Sequence, residues 1–361
     1  MLNTIKENIK RSNLFRSYNE RKIKVVETKR FLSEIPSIEQ LKDIIPENHT
    51  LRSLISDYKR ALNKHRVTWS EYFWQYEYWH LSEEERNAFV SRSNMQKTYR
   101  RLVNNDVREM MHDKAKFLVA FGKYIHRRWV RLSEDRNSCA SKEQLKELID
   151  SVDCIIKPIS GSLGCGIRKI PAGSIENVDL LYEQLCEENV LVEECIQALD
   201  EIQAFNPDSL NTIRVVTISK APYAHVFGAF IRMGRKGAIV DNAHAGGIFA
   251  QINVDSGIIE SCGMTTDANE KFEFHPDSHK QIVGFKIPQW EAIKQQCVEA
   301  ALSVDKLYFA GWDVCVRPDG KIEFIEANHA PDFDVMQSPL KRGVKLRLNQ
   351  IIQDMFNYTI Q

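Results

Sequence analysis

An α+β chain is predicted, mainly helical over residues 1–105 and rich in strands over 106–356. Three observations carry this. Residues 152–158 form an apolar run that ends at Lys157-Pro158 and enters Gly161-Ser162-Leu163-Gly164-Cys165-Gly166. A second pair of apolar runs flanks Pro318-Asp319-Gly320, a turn sequence that makes a hairpin of residues 311–328. Before them, Pro36 and Pro46 punctuate a polar stretch, and Ser82-Glu83-Glu84-Glu85 is a helix start ahead of Phe89 and Val90.

Composition bounds the rest. With 361 residues the chain is long enough for two or three domains, and its formal net charge of +0 gives no footprint of a nucleic-acid binder. No apolar run approaches the ~20 residues that span a bilayer, and the first residues are charged throughout, so no membrane helix or signal peptide is expected and the cytoplasm is the expected location. The eight cysteines fall between Cys139 and Cys315 without a C-x-x-C pair, which fits buried reduced thiols.

The first 66 residues carry fifteen Lys/Arg against eight Asp/Glu, with Leu2, Ile5, Ile9 and Leu14 interleaved among Lys6, Lys10, Arg11 and Arg16. A basic amphipathic helix contacting the inner face of an anionic membrane has this pattern, and so has a solvated helix face. The aromatic run Trp69, Tyr72, Phe73, Trp74, Tyr76, Tyr78, Trp79 is expected to pack a helix onto the body, with a glycan-stacking surface as the alternative. Ser141-Lys142-Glu143-Gln144 is a second capped helix start before the Lys157 strand.

Chemistry begins at that strand. A strand lysine can hold nucleotide phosphates as a point charge, and the glycines of 161–166 let backbone N–H groups close over them. The loop is neither a P-loop nor a Rossmann fingerprint. The hairpin folds Asp313 back beside Glu326 and Asn328, bringing three hard oxygen donors together. Such donors suit Mg²⁺, with Mn²⁺ as an alternative, in an ion completed by water and nucleotide phosphate oxygens.

The order Lys157, Gly-rich loop, Glu193-Glu194, Asn211-Thr212-Ile213-Arg214, Asp313, Glu326-Ala327-Asn328 resembles the ATP-grasp superfamily. The run 206–217 followed by Asp241-Asn242-Ala243-His244-Ala245-Gly246-Gly247 is similar to its sugar-transfer associated branch, over residues 105 to 356. The resemblance implies two α+β subdomains sandwiching ATP, one at about 140–200 and the other, carrying metal and substrate, at about 201–356. It implies Lys114, directly after Asp113, as a second phosphate-binding lysine with Lys116 as fallback. It makes 190–196 the hinge over which adenine lies, with backbone near Cys195 and Ile196 on the base edge and Glu193 or Glu194 in polar contact. The acidic ribose contact common in the family is replaced by Thr212, leaving Asp200, Glu201 or Asp208 as substitutes.

Arg214 and Arg232 lie in alternating apolar stretches, where an inward guanidinium needs an anionic partner. A developing acyl phosphate would supply one, and a structural ion pair with a glutamate is the alternative. Related peptide ligases place an arginine two residues before the metal aspartate. Gly311 stands there, which moves that oxyanion role to Arg232. His244, ahead of paired glycines, is a candidate near the γ-phosphate or attacking amine, and Asp332 or Asp334 could hold an ammonium group.

Together these imply an ATP- and Mg²⁺-dependent ligase joining a carboxylate to an amine through an acyl phosphate, with Arg214, Arg232 and His244 as catalytic candidates. A sugar acid or an amino sugar in surface-polysaccharide assembly is the implied substrate class. A kinase on a small molecule or glycan precursor would keep the same ATP site, and a non-catalytic nucleotide-binding assembly protein is the third reading.

Overall fold

Caps written into the sequence set the N-terminal helices. Thr50 and Ser53 box the start of α1 (Leu51–Lys64), Ser82 and Glu85 that of α2 (Glu83–Asn87), Ser91 caps α3 (Arg92–Leu102) and Asn104 caps α4 (Asn105–His112). Asp113 accepts the N–H groups of Ala115 and Lys116 and so starts α5 (Lys114–Ala120). The computed structural model describes residues 21, 22, 24–30, 33, 50–135, 137, 139–159, 166–238, 241, 246–265 and 270–360. The basic segment at Lys6, Lys10, Arg11 and Arg16 lies outside the described residues, as do Gly161, Ser162, Gly164 and His244.

The aromatic run is core. Tyr72, Tyr76 and Tyr78 are buried around Leu54 and Tyr58 of α1. Their hydroxyls donate to Asp57 (2.7 Å), the Val90 carbonyl (3.1 Å) and the Arg86 carbonyl (2.9 Å), so each polar tip is satisfied without solvent. This cluster is tied to the strand-rich body by Gln337, which donates to the Tyr76 hydroxyl at 3.0 Å and the Val90 carbonyl at 2.9 Å.

Two antiparallel sheets follow. The first runs β1 (Trp129–Leu132), β4 (Val190–Glu194), β2 (Cys154–Pro158), β3 (Arg168–Ile170) in spatial order. Helices α6 (Lys142–Ser151, boxed by Ser141 and Gln144) and α7 (Val178–Glu188) supply Leu145, Leu148, Ile149 and Leu185 to its core. After α8 (Asp200–Gln203) comes a seven-stranded sheet in the order β11 (Ile322–Asn328), β10 (Phe309–Val316), β5 (Thr212–Lys220), β6 (Tyr223–Met233), β7 (Ile248–Ile252), β8 (Gly263–Met264), β9 (Lys271–Phe272).

Both faces of the larger sheet are covered, so β5 is buried almost end to end rather than on alternate residues. Trp290, Ile293 and Cys297 of α9 (Trp290–Ser303) join Ile213, Val215 and Trp312 in one core. Leu348 and Ile352 of α10 (Lys345–Phe356), with Tyr99 of α3, meet Val216, Ile218 and Phe309 in the other. The described cysteines are free thiols, and burial pushes Cys315 up to about 12. Among the described residues, no helix is long and apolar enough to cross a membrane.

Candidate functional site

The hairpin forms in the expected register, with Asp313 directly opposite Glu326 and Gly311 opposite Asn328. On its other side Asp313 stands opposite Arg214 of β5, so Glu326, Asp313 and Arg214 form one row across three strands. Directly opposed residues share a face of a sheet, which is why these side chains meet. The pairing slips after Asp313, since Val314 pairs with Phe324 and Ile325 is left as the extra residue of a bulge immediately before Glu326.

Asp313 is fully buried and is the anion that pairs with both Arg214 and Arg232, where a glutamate was the structural partner expected of them. Arg214 grips it through two bonds, Nε to Oδ1 and Nη2 to Oδ2 (2.7 Å), and Arg232 adds Nη2 to Oδ2 at 2.7 Å. The Arg232 guanidinium also donates to the Thr212 hydroxyl at 2.9 and 3.0 Å, and that hydroxyl donates in turn to Asp241. Burial raises the Asp241 carboxyl although Arg232 lies nearby. Arg232, expected to serve the role vacated at Gly311, and Arg214 both lie close to that position, Arg214 the nearer in packing. A Cβ at 311 would stand 3.1 Å from Arg214 Cδ, so Arg214 occupies that space from the neighbouring strand.

Asp313, Glu326 and Asn328 present hard oxygen donors of the kind a divalent cation takes, although among the described residues no three His, Cys, Asp or Glu side chains form a metal cage. Three guanidinium bonds use three of about four lone-pair sites on Asp313, and the Glu326 carboxyl hydrogen-bonds the same carboxylate. Burial and the adjacent Asp313 carboxylate push the Glu326 carboxyl up, and the charges of Arg232 and Arg214 oppose that. Asn328 lies two residues along β11 on the Glu326 face, its Oδ1 also accepting the Ala330 N–H at 3.1 Å.

An open cleft lies between the sheets. Ile155, Ile167, Ile196, Leu210 and Ile325 give it apolar walls, while Lys157, Lys169, Glu193, Glu194 and Asp208 supply polar groups. Apolar walls with a few convergent polar groups suit a flat base bearing an anionic tail. Of the three acidic ribose candidates, Asp208 lines this cleft, where it also accepts the Gly237 N–H at 2.9 Å.

The two hinge glutamates differ. Glu193 faces inward and accepts from Lys157 Nζ (2.7 Å) and Arg127 Nε (2.8 Å). Burial alone would raise its carboxyl, but the charges of Arg127 and Lys157 outweigh that and hold it at about 2. Glu194 accepts the Arg128 N–H at 3.1 Å and lies 3.8 Å from Arg317. The Cys195 N–H donates to the Asp153 carbonyl at 2.7 Å, so that donor is already engaged.

Lys114 donates to the Pro158 carbonyl at 3.1 Å, at the mouth of the Gly-rich segment; burial lowers its pKa and Glu326 opposes that. Lys116 instead pairs with Glu109 on the surface. Gly166 has φ +76°, and a Cβ there would lie 3.0 Å from Pro158 Cγ, so a side chain is excluded twice over. Asp334, a candidate for an ammonium group, is held by Arg92 of α3 at 2.9 Å, whereas Asp332 lies 3.8 Å from Arg92 and is half-exposed.

Arg127 and Glu323 belong to this site although no motif marked them, and Asp241 joins it from the start of the 241–247 run, where the resemblance assigns it no role. A family model described as sugar-transfer associated ATP-grasp matches residues 89–353. Similar solved structures include the ATP-grasp ligase PsnB complexed with minimal precursor, at 16% identity over 66% of this chain and 59% of that one, with a TM-score of 0.40. A Chryseobacterium gregarium RiPP-associated ATP-grasp ligase in complex with ADP and a leader and core peptide matches at 14%, over 67% and 61%, with a TM-score of 0.40. D-alanyl-alanine synthetase A from Vibrio cholerae O1 biovar eltor str. N16961 matches at 11%, over 69% and 65%, also with a TM-score of 0.40. The chain spans less than two thirds of the length of each. No curated protein matches the chain. Since the family model spans the strand-rich body and most of the described helices, the chain belongs to the sugar-transfer associated ATP-grasp family and has its α+β fold.

Proposed function

We propose that the chain is an ATP- and Mg²⁺-dependent ligase that activates a carboxylate as an acyl phosphate and passes it to an amine. The observation that carries this is the convergence of Arg214 and Arg232 on Asp313, beside Glu326, on one face of the sheet. Two fixed guanidiniums there exceed what a metal site needs, and they suit a reaction that develops negative charge twice, on the acyl phosphate and on the tetrahedral oxyanion.

Glu326, Asn328 and Asp313 would hold Mg²⁺, the ion taking the place of the hydrogen bond between the two carboxyls, and Mn²⁺ would fit the same donors. The ion supplies charge neutralisation across the transferred phosphate. Lys157 turns from Glu193 to the phosphates, and Lys114 reaches them from α5. Ile155, Ile196 and Leu210 bury the base, with Glu194 and Ile196 along its edge and Asp208 beside the ribose. The resemblance assigns Gly161, Ser162, Gly164 and Gly166 to the phosphates and His244 to the γ-phosphate or the amine, and of these only Gly166 is among the described residues. Asp332 receives the amine.

The family's description supports a sugar acid or amino sugar as one substrate, in the assembly or modification of a surface glycan. Hydroxylamine trapping tests the chemistry. With ATP, Mg²⁺ and the correct acid, a hydroxamate should accumulate, and ¹⁸O in that carboxylate should appear in released phosphate. A stable phosphorylated product without label transfer would make the protein a kinase instead.

A further inference from the structure

Arg127 precedes β1 and is 4% exposed. Its guanidinium serves four acceptors: Nε donates to Glu193 Oε2 (2.8 Å), Nη1 to Glu323 Oε1 (2.6 Å) and to the Phe324 carbonyl (2.7 Å), and Nη2 to the Ile325 carbonyl (3.1 Å). Glu193 belongs to β4 of the small sheet, and the other acceptors belong to β11 of the large one.

Each end of this contact leads to a residue of the proposed site. Glu193 Oε2 is the same oxygen that accepts Lys157 Nζ at 2.7 Å. With Arg127 satisfying part of that carboxylate, Lys157 is held by a shared counter-ion and can turn towards a phosphate. At the other end, Ile325 is the bulge residue that precedes Glu326, and Phe324 before it pairs with Val314. β11 is the edge strand of its sheet, so backbone carbonyls there need donors from outside the ladder, and Arg127 supplies those of Phe324 and Ile325. The guanidinium thereby fixes the backbone that aims Glu326 at Asp313.

We propose that Arg127 is a positioning residue that couples the phosphate lysine to the metal glutamate across the two sheets. This rests on the reading that Lys157 holds nucleotide phosphate and Glu326 holds metal. Lysine could not replace it in full, since an ammonium has three donors for these four acceptors and lacks the fixed fork of the guanidinium.

Calorimetric titration of the full chain with ADP, in EDTA and in excess Mg²⁺, tests this. Arg127→Met and Arg127→Lys should each lose about tenfold in metal-free affinity and about tenfold in the gain conferred by Mg²⁺, the scale seen when a group supporting a metal ligand is removed. Lys157→Ala should lose only the metal-free part, and Glu326→Gln only the Mg²⁺ gain. If these two controls bind as wild type, the reading of the site fails and the coupling fails with it. If the controls behave as stated but Arg127→Met alters one quantity or neither, the coupling alone is overturned. Should the Arg127 variants lack a cooperative melt, Glu323→Gln decides. It keeps Arg127 and Glu193 but sets an amide against the His126 N–H, which Glu323 Oε2 accepts at 2.9 Å. Its Mg²⁺ gain should fall while metal-free affinity stays, and an unchanged gain overturns the proposal.

Discussion

Gly311 leaves the room that Arg214 fills: a Cβ at 311 would stand 3.1 Å from Arg214 Cδ and 3.0 Å from Pro331 Cβ. The proline ring cannot yield, and Arg214 is pinned by its two bonds to Asp313. Gly311→Ala should therefore displace the guanidinium rather than be absorbed. Overpacking of this kind costs about 1–3 kcal/mol. Thermal melts should show that loss, and ADP release should drop more steeply than the melt shift accounts for. Wild-type turnover by Gly311→Ala would mean that the placement of Arg214 does not matter to the reaction.

Asp313 and Glu326 should separate in their effects although both face the proposed metal. Asp313→Asn removes the carboxylate paired with buried Arg214 and part-buried Arg232, which keeps Asp241 at 3.6 Å, and breaking a buried pair in this way typically costs about 3–5 kcal/mol. Burial and the Asp313 carboxylate already oppose the Glu326 charge, so Glu326→Gln should melt near wild type. Turnover should vanish in both. Melts that shift equally in the two variants would contradict the ion-pair assignment.

The hairpin was legible because its turn and its period-2 pattern are local, and they determine which side chains oppose. Lys157 and Gly166 were legible for the same reason. Arg127 was not. Its carboxylate partners lie 66 and 196 residues away, so nothing near it in sequence marks it as central. The arginines of β5 and β6 were seen to need an anion, but which anion depended on strand order. Only the placement of β10 beside β5 makes Asp313 the partner. The Ile325 bulge left no trace in the pattern either, because a single extra residue inside an apolar run does not disturb its composition.

Glu193 makes acid stability informative. In the folded chain Arg127 and Lys157 hold its carboxyl at about 2, against an ordinary value of 4.5. A depressed carboxyl contributes stability above the unfolded value and loses it as pH falls from 4.5 towards 2. The linked contribution is of the order of 3 kcal/mol at neutral pH. Glu193→Gln should therefore be destabilised at pH 7, and its gap to wild type should narrow by about 2 kcal/mol at pH 3. Denaturant titrations at both pH values check this. A gap independent of pH would place the stabilisation in packing rather than charge.

The basic N-terminal segment can be removed without loss of fold only if the cut spares α1. Leu54, Tyr58 and Ala61 are core residues, and Asp57 pairs with Arg86 at 2.8 Å while accepting the Tyr72 hydroxyl at 2.7 Å. Deleting 1–66 strips these from the aromatic cluster and strands Arg86, which is buried. Deleting 1–49 loses, among the hydrogen bonds that reach into the described core, the Trp69 N–H to Glu27 bond at 3.3 Å, a contact of about 1 kcal/mol. The shorter deletion should melt close to wild type and keep ADP affinity, whereas the longer one should lose cooperative unfolding. Vesicle flotation of the full chain and the 1–49 deletion, with anionic lipid at low and high salt, then isolates the basic segment. Salt-sensitive flotation of the full chain alone is the expected result for an electrostatic membrane contact, and equal behaviour of the two would eliminate it.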